Sequence, residues 1–136
     1  MFDRYMLEEE SLRSLEKDGR VTGFQVDVHY PHHCGIWLSI IEEMRLTVDG
    51  ILVPTESLSL ELDGKTYAVS RLGEEAEGRW YFGQKGTLKA DYPGGLAEGT
   101  HEIRFRMGLR VSFLNWLLTG ENTKIMHLKN KKEEEK

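Results

Sequence analysis

The stretch Glu102-Ile103-Arg104-Phe105-Arg106-Met107-Gly108-Leu109-Arg110-Val111-Ser112-Phe113 alternates without a break. Ile103, Phe105, Met107, Leu109, Val111 and Phe113 fall on one face, and Glu102, Arg104, Arg106, Gly108, Arg110 and Ser112 fall on the other. A period of two marks a half-buried strand, because successive side chains on an extended backbone point to opposite faces. No helical period fits the same residues, so this strand sets the expectation for the rest of the chain.

Upstream, the same period recurs. Phe24, Val26, Val28 and Tyr30 alternate with Gln25, Asp27 and His29; Met44, Leu46 and Val48 with Arg45, Thr47 and Asp49; Leu58, Leu60 and Leu62 with Ser57, Ser59 and Glu61; Leu88, Ala90 and Tyr92 with Thr87, Lys89 and Asp91. Tyr67 and Val69 share a face within Lys65 to Ser70, and Trp80-Tyr81-Phe82 opens a further strand that Gly83 closes. Asp18-Gly19, Asp49-Gly50 and Asp63-Gly64 stand between runs, where glycine accepts a positive φ without a steric penalty, and each predicts a hairpin. Pro54 and Pro93-Gly94-Gly95 end runs. Short strands with turns at intervals of about ten residues predict an all-β fold, an antiparallel β-sandwich of immunoglobulin-like or jelly-roll-like type in a single domain. Leu96-x-x-Gly99-x-His101-x-Ile103 resembles the corner of immunoglobulin-like accessory domains, where a tyrosine often stands in the place of His101. The sandwich is assigned to residues 1–114, a C-terminal docking segment to 115–128, and a charged mobile tail to 129–136.

A chain of 136 residues is long enough for one sizeable core and short for two. Its 18 basic and 23 acidic side chains give a net charge of −5, which removes the general attraction to phosphate on which nucleic-acid binding rests. The tail carries a net positive charge, so the acidic balance of the folded part survives without it. Cys34 is the single cysteine, which excludes an internal disulfide. The start MFDRYMLEEE lacks a signal-peptide pattern, and no apolar run reaches the roughly 18 to 20 residues of a membrane helix. The expected partners therefore include no nucleic acid and no membrane, and the expected compartment is the cytoplasm.

Candidate chemistry is sparse. His29-x-x-His32-His33-Cys34 contains side chains suited in kind to zinc or iron, but Pro31 interrupts the spacing and no distant ligand pair completes it. A loop between strands is the simpler reading. Glu8 to Glu10, Glu42-Glu43 and Glu74-Glu75-x-Glu77 have no apolar frame to raise a carboxyl pKa, and no Gly-x-Ser-x-Gly elbow is present. No catalytic residue and no metal ligand is assigned. Arg104, Arg106 and Arg110 form a row that suits either a solvated face or an acidic partner surface, and they are subunit-interface candidates together with Trp116 of Trp116-Leu117-Leu118. Tyr30, Trp37 and Trp80-Tyr81-Phe82 read first as packing and second as a sugar platform. His32, His33 and Trp37 are candidates for a substrate pocket or an interface.

Phe2-Asp3-x-Tyr5-Met6, Glu16-Lys17-Asp18-Gly19-x-Val21-Thr22-Gly23-Phe24, Gly35-Ile36-x-Leu38-Ser39, Ile41-Glu42-x-Met44, Val48-Asp49-Gly50, Arg79-Trp80-x-Phe82-Gly83 and Pro93-Gly94-Gly95-Leu96-x-x-Gly99-x-His101 follow one another along the chain, and their order and spacing together are specific. From Met1 to Phe113 they resemble the small, β subunit of bacterial C-glycoside deglycosidases. The resemblance implies a β-sandwich subunit beside a TIM-barrel α subunit that carries a divalent metal, usually manganese, in a higher-order heteromer. Together such subunits cleave the carbon–carbon bond between a 3-oxo sugar and an aromatic, flavonoid-type aglycone, releasing the aglycone and a dehydrated keto-sugar. It also implies that the metal ligands and main acid/base groups belong to the α subunit, that this chain holds no cofactor of its own, and that it is inactive alone. Two readings from other classes stand beside it. One is an immunoglobulin-like accessory or carbohydrate-binding module without catalytic role, which requires an exposed Trp37 or Trp80. The other is a small metalloenzyme centred on His29, His32, His33 and Cys34.

Overall fold

The computed structural model describes residues 5–30, 35–81, 83–110 and 118–128. Among them the chain is built from eleven antiparallel strands: β1 (Arg13–Lys17), β2 (Arg20–His29), β3 (Ile36–Trp37), β4 (Ile41–Val48), β5 (Ile51–Leu52), β6 (Leu58–Leu62), β7 (Lys65–Ala68), β8 (Arg79–Trp80), β9 (Lys85–Asp91), β10 (Gly99–Leu109) and β11 (Leu118–Leu128). One sheet runs β1-β2-β9-β6-β7, a second runs β11-β10-β4-β5, and β3 pairs with β8 in a separate ribbon. Short 3-10 turns at Leu38–Ile40, Thr55–Ser57 and Val69–Glu74 join the strands. The all-β expectation is met.

Both sheets turn their apolar faces to one core. Phe24, Val26 and Val28 of β2, Leu58, Leu60 and Leu62 of β6, and Leu88 and Ala90 of β9 belong to it, as do Met44, Leu46 and Val48 of β4 and Ile103, Phe105, Met107 and Leu109 of β10. The alternation read from the sequence is thus the alternation of burial, and removing these side chains from water is the main force holding the sheets together. All three Asp-Gly pairs close hairpins with two-residue loops, joining Lys17 to Arg20, Val48 to Ile51 and Leu62 to Lys65. Both residues of each pair have positive φ, with Asp18, Asp49 and Asp63 between 51 and 53°. That is the type I′ geometry, whose twist matches the right-handed twist of the strands it connects.

The structure departs from the sequence reading in three places. Val69 does not extend β7; it opens the 3-10 turn that follows Ala68, with its side chain buried. Trp80 ends a strand that begins at Arg79, and Tyr81 lies beyond it. Most consequentially, Leu118–Leu128 is a full strand paired along the whole of β10, from Leu109↔Leu118 to Gly99↔Leu128. It occupies most of the stretch assigned as a docking segment; Val111 to Leu117 and the tail lie outside the described residues.

The register on β10 explains why the sequence of this strand does not alternate cleanly. Asn122 and Lys124 share the face of Gly120, Met126 and Leu128, so polar residues interrupt the apolar period. They serve the N-terminal segment. Asn122 Oδ1 accepts the Leu7 N–H at 2.9 Å, and Lys124 Nζ donates to the Leu7 carbonyl at 2.8 Å. On its other side this segment pairs with β2: Leu7 bridges Val28, the His29 N–H donates to the Met6 carbonyl at 2.7 Å, and the Glu8 N–H donates to the Asp27 carbonyl at 3.0 Å. Residues 6–8 therefore stitch β2 of one sheet to the edge strand β11 of the other, with Met6 and Leu7 fully buried.

Candidate functional site

The β3–β8 ribbon has an inner and an outer face. Ile36 pairs with Trp80 and Trp37 with Arg79, and period two sends the members of each strand in opposite directions. Inward, Trp80 is fully buried, its Nε1 donates to the Gln84 carbonyl at 2.8 Å, and its ring lies 6.3 Å from that of Tyr30. The Leu38 N–H donates to the Gly78 carbonyl at 2.9 Å, and the Tyr81 N–H to Gln84 Oε1 at 3.0 Å. These bonds fix the ribbon against the core. Outward, the Arg79 guanidinium lies 4.5 Å from the centre of the Trp37 ring and 5.3 Å from that of Tyr81. Trp37 is 45% and Tyr81 56% exposed, so a cation sits between two solvent-facing aromatic rings. A groove of about 910 Å³ runs beside them, lined by Lys65, Tyr67, Glu75 and Glu77 among others.

A second groove, of about 920 Å³, lies where the N-terminal segment crosses between the sheets, and Tyr5, Glu8, His29, Tyr30 and Lys124 line it. His29 Nε2 is 3.4 Å from Glu8 Oε1, and Lys85 Nζ is 4.0 Å from Glu8 Oε2 and 3.5 Å from Asp27 Oδ2. Asp27 is buried beneath this network. Arg13 approaches its Oδ1 at 3.1 Å, the Thr87 hydroxyl donates to the same oxygen at 3.0 Å, and its N–H donates to Ser11 Oγ. Burial alone would raise the Asp27 carboxyl, but the bonds from Arg13 and Thr87 and the charges of Arg13 and Lys85 outweigh it and hold the group below its ordinary value. An anchored, ionised carboxylate of this kind organises a surface; it is poorly suited to accepting a proton near neutral pH.

Trp37 is the one pocket-or-interface candidate that falls within the described residues; His32 and His33 lie outside them, as do Cys34 and Trp116. Of the aromatics read first as packing, Trp80 is in the core and Trp37 is not. The interface candidates Arg104, Arg106 and Arg110 each meet carboxylates of this chain. Arg106 Nε donates to Glu43 at 2.8 Å and its Nη1 is 3.6 Å from Glu121; Arg104 Nε is 3.6 Å from Glu121; Arg110 donates to Glu42, whose carboxyl it holds below the usual range. Among the described residues no group of three or more His, Cys, Asp or Glu side chains converges as a metal site would require. Nor is any helix among them long and apolar enough to cross a membrane. The sequence does not join Arg79 to Trp37, because the pairing of β3 with β8 brings together residues more than forty positions apart in the chain.

Comparison with known proteins gives one consistent result. A family model described as C-glycoside deglycosidase beta subunit matches residues 2–113. A C-glycoside deglycosidase beta subunit of Eubacterium cellulosolvens is 26% identical over 113 residues, covering 82% of this chain and 77% of the relative. Two proteins of the same description from Arthrobacter globiformis are also similar. One is 38% identical over 63 residues, covering 46% of this chain and 48% of the relative. The other is 28% identical over 101 residues, covering 74% of each chain. The family match takes in β1 to β10 and both faces of the β3–β8 ribbon, and the chain belongs to the family of C-glycoside deglycosidase beta subunits.

Proposed function

We propose that this chain is the β subunit of a heteromeric C-glycoside deglycosidase that cleaves the carbon–carbon bond between a 3-oxo sugar and an aromatic, flavonoid-type aglycone. Its partner is a metal-dependent TIM-barrel α subunit. The observation that carries the reading is the family match over residues 2–113. The reaction is an elimination and makes the complex a carbon–carbon lyase. A base removes the proton from the carbon between the ketone and the anomeric carbon, a double bond forms to the anomeric carbon, the bond to the aglycone breaks, and the departing ring carbon takes up a proton. The acid/base groups and the divalent metal, manganese by family resemblance, belong to the α subunit, where the bound metal supplies Lewis-acid polarisation of sugar oxygens. This chain contributes a rigid surface that orders α-subunit loops and keeps water from the pocket. The charged side chains described above support that division of labour, being held in structural ion pairs.

Co-expression with the α subunit, size-exclusion chromatography and an assay for aglycone release from a 3-oxo-C-glucoside test the proposal. The expected result is co-elution, with activity in the mixture and none from this chain alone. Aglycone release by the lone chain, or failure to associate with the α subunit, overturns it. The exposure of Trp37 favours a second reading, an accessory or carbohydrate-binding module without catalytic role, although Arg79 already lies against the ring. Sugar binding by the lone chain, without a protein partner, is the result that would select it.

A further inference from the structure

We propose that the outer face of the β3–β8 ribbon, formed by Trp37, Arg79 and Tyr81, is the docking surface for the α subunit. This rests on the reading of the chain as a β subunit. The argument begins with the pairing of charges. Arg13, Arg45, Arg71, Arg104, Arg106 and Arg110 each form an ion pair within this chain. Arg20, at the start of β2, and Arg79 form none among the described residues; of these two, Arg79 has its guanidinium against the two rings, although Glu75 and Glu77 line the same groove. A planar cation held between aromatic faces keeps its N–H edges free for a carboxylate, and Arg, Trp and Tyr are the side chains that most often carry the energy of protein interfaces.

The mount is rigid. Trp80 in the core and the Leu38–Gly78 hydrogen bond fix the ribbon, so little freedom is lost when a partner seats on it. Charge complementarity specifies the occupant: an α-subunit loop whose carboxylate pairs with Arg79, whose apolar side chain covers Trp37 or Tyr81, and whose neighbouring basic residue faces Glu75 and Glu77. Mixed charge of this kind fixes the register of docking and speeds encounter.

The test measures affinity between the two full-length subunits and turnover by the complex, using Arg79→Glu, Trp37→Ala and Arg79→Lys variants. Ile51→Ser serves as control, in the exposed β4–β5 hairpin at the far end of β4. Arg79 and Trp37 are exposed, so the melting temperature of the free chain is expected to stay within a degree or two of the unsubstituted protein. Arg79→Glu and Trp37→Ala are expected to weaken association roughly 30-fold, with Arg79→Lys between them and the unsubstituted chain. Added salt is expected to weaken the unsubstituted complex more than that of Arg79→Glu. Unchanged affinity in both Arg79→Glu and Trp37→Ala overturns the docking surface, as does weakening by Ile51→Ser instead. A complex that forms normally but loses turnover also overturns it, because the cluster then faces substrate. Failure of the unsubstituted chain to bind the α subunit is a separate result, and it removes the functional reading itself.

Discussion

Asp49 and His101, 52 positions apart, meet at 2.6 Å between Oδ2 and Nδ1. The contact joins the β4–β5 turn to β10. Asp49 sits in the turn with a positive φ, and its second oxygen accepts the Glu102 N–H at 2.8 Å. The other ring nitrogen, His101 Nε2, is 2.6 Å from the Ala97 carbonyl. With an acceptor on each side, the buried ring is bound best when both nitrogens carry protons. One imidazole thus ties the β4–β5 turn to the segment that leads into β10.

This tie predicts a loss of stability as pH rises above 6.5. Burial alone would lower the His101 pKa, but the bonds to Ala97 and Asp49 and the Asp49 charge prevail and raise it above the ordinary 6.5. The folded ring therefore holds its proton more tightly than the unfolded ring. Its contribution is complete below about 6.5 and is lost as pH rises through the raised folded value. Asp49 acts in the opposite sense: the His101 bond and the Glu102 N–H lower its pKa, so its contribution is present above 3.8 and fades as pH falls through the folded value. Melting temperatures measured across the pH range are expected to fall as pH rises from 6.5 through the raised folded value, and His101→Phe is expected to flatten that limb. An equal fall in the variant would assign the limb to other groups.

A second prediction concerns Gly23. Its Cα faces the Ala90 backbone so closely that an added Cβ would overlap the Ala90 carbonyl oxygen. The register of β1 against β2 also shifts beside it, between Leu15 and Glu16. Gly23→Ala is expected to push β2 away from β9 and to cost about 3 kcal/mol, as overpacking does when backbone must yield. Urea unfolding monitored by tryptophan fluorescence measures it, and a midpoint unchanged from the unsubstituted chain would show that the strands separate freely.

The stitch at Leu7 predicts an unequal pair of effects. Asn122→Ala leaves the buried Leu7 N–H without its acceptor and is expected to cost about 1–3 kcal/mol. Lys124→Met removes a donor from a carbonyl, a smaller loss, and is expected to cost about 1 kcal/mol. Hydrogen exchange at the Leu7 amide is the direct readout, with faster exchange in Asn122→Ala than in Lys124→Met.

Asp27 supports a further test. Replacing it with Asn removes the charge that draws Arg13 and Lys85 together and weakens its bonds to Arg13 and Thr87. The expected cost is about 2 kcal/mol, kept modest because Arg13 and Lys85 are partly solvated. Because the folded carboxyl is held below its ordinary 3.8, this stability is present above that value and disappears as pH falls through the folded pKa. The acid limb of an unfolding-against-pH curve is expected to be shallower in Asp27→Asn.

What the sequence disclosed follows from how local each signal is. The Asp-Gly turns and the alternation in β2, β4, β6, β9 and β10 depend on neighbours in the chain, and they specify hairpins and buried faces directly. β11 was hidden because Asn122 and Lys124 face the Leu7 backbone, a partner more than a hundred residues away, and so break the apolar period. Trp37 and Trp80 look alike in sequence, yet one is exposed and the other buried, since their fates depend on a pairing between β3 and β8 that leaves no local trace. The same pairing gathers Trp37, Arg79 and Tyr81. The family resemblance, by contrast, was legible from Met1 to Phe113, because the order and spacing of turns and strand residues survive even where the alternating pattern is weak.

The stitch at residues 6–8 also constrains the order of events when the protein is made. Leu7 is synthesised well before its partners at Asn122 and Lys124, which lie 115 and 117 positions later. Contacts so distant in sequence form last, after the loop between them has been closed by other structure. A nascent chain that has delivered β10 but not β11 already holds most of its core residues, while the Leu7 N–H and carbonyl still lack those partners. Residues 6–8 can thus pair with β2 early but gain their second side only with β11, and the interval before β11 arrives is when the growing chain most needs protection from association with its neighbours.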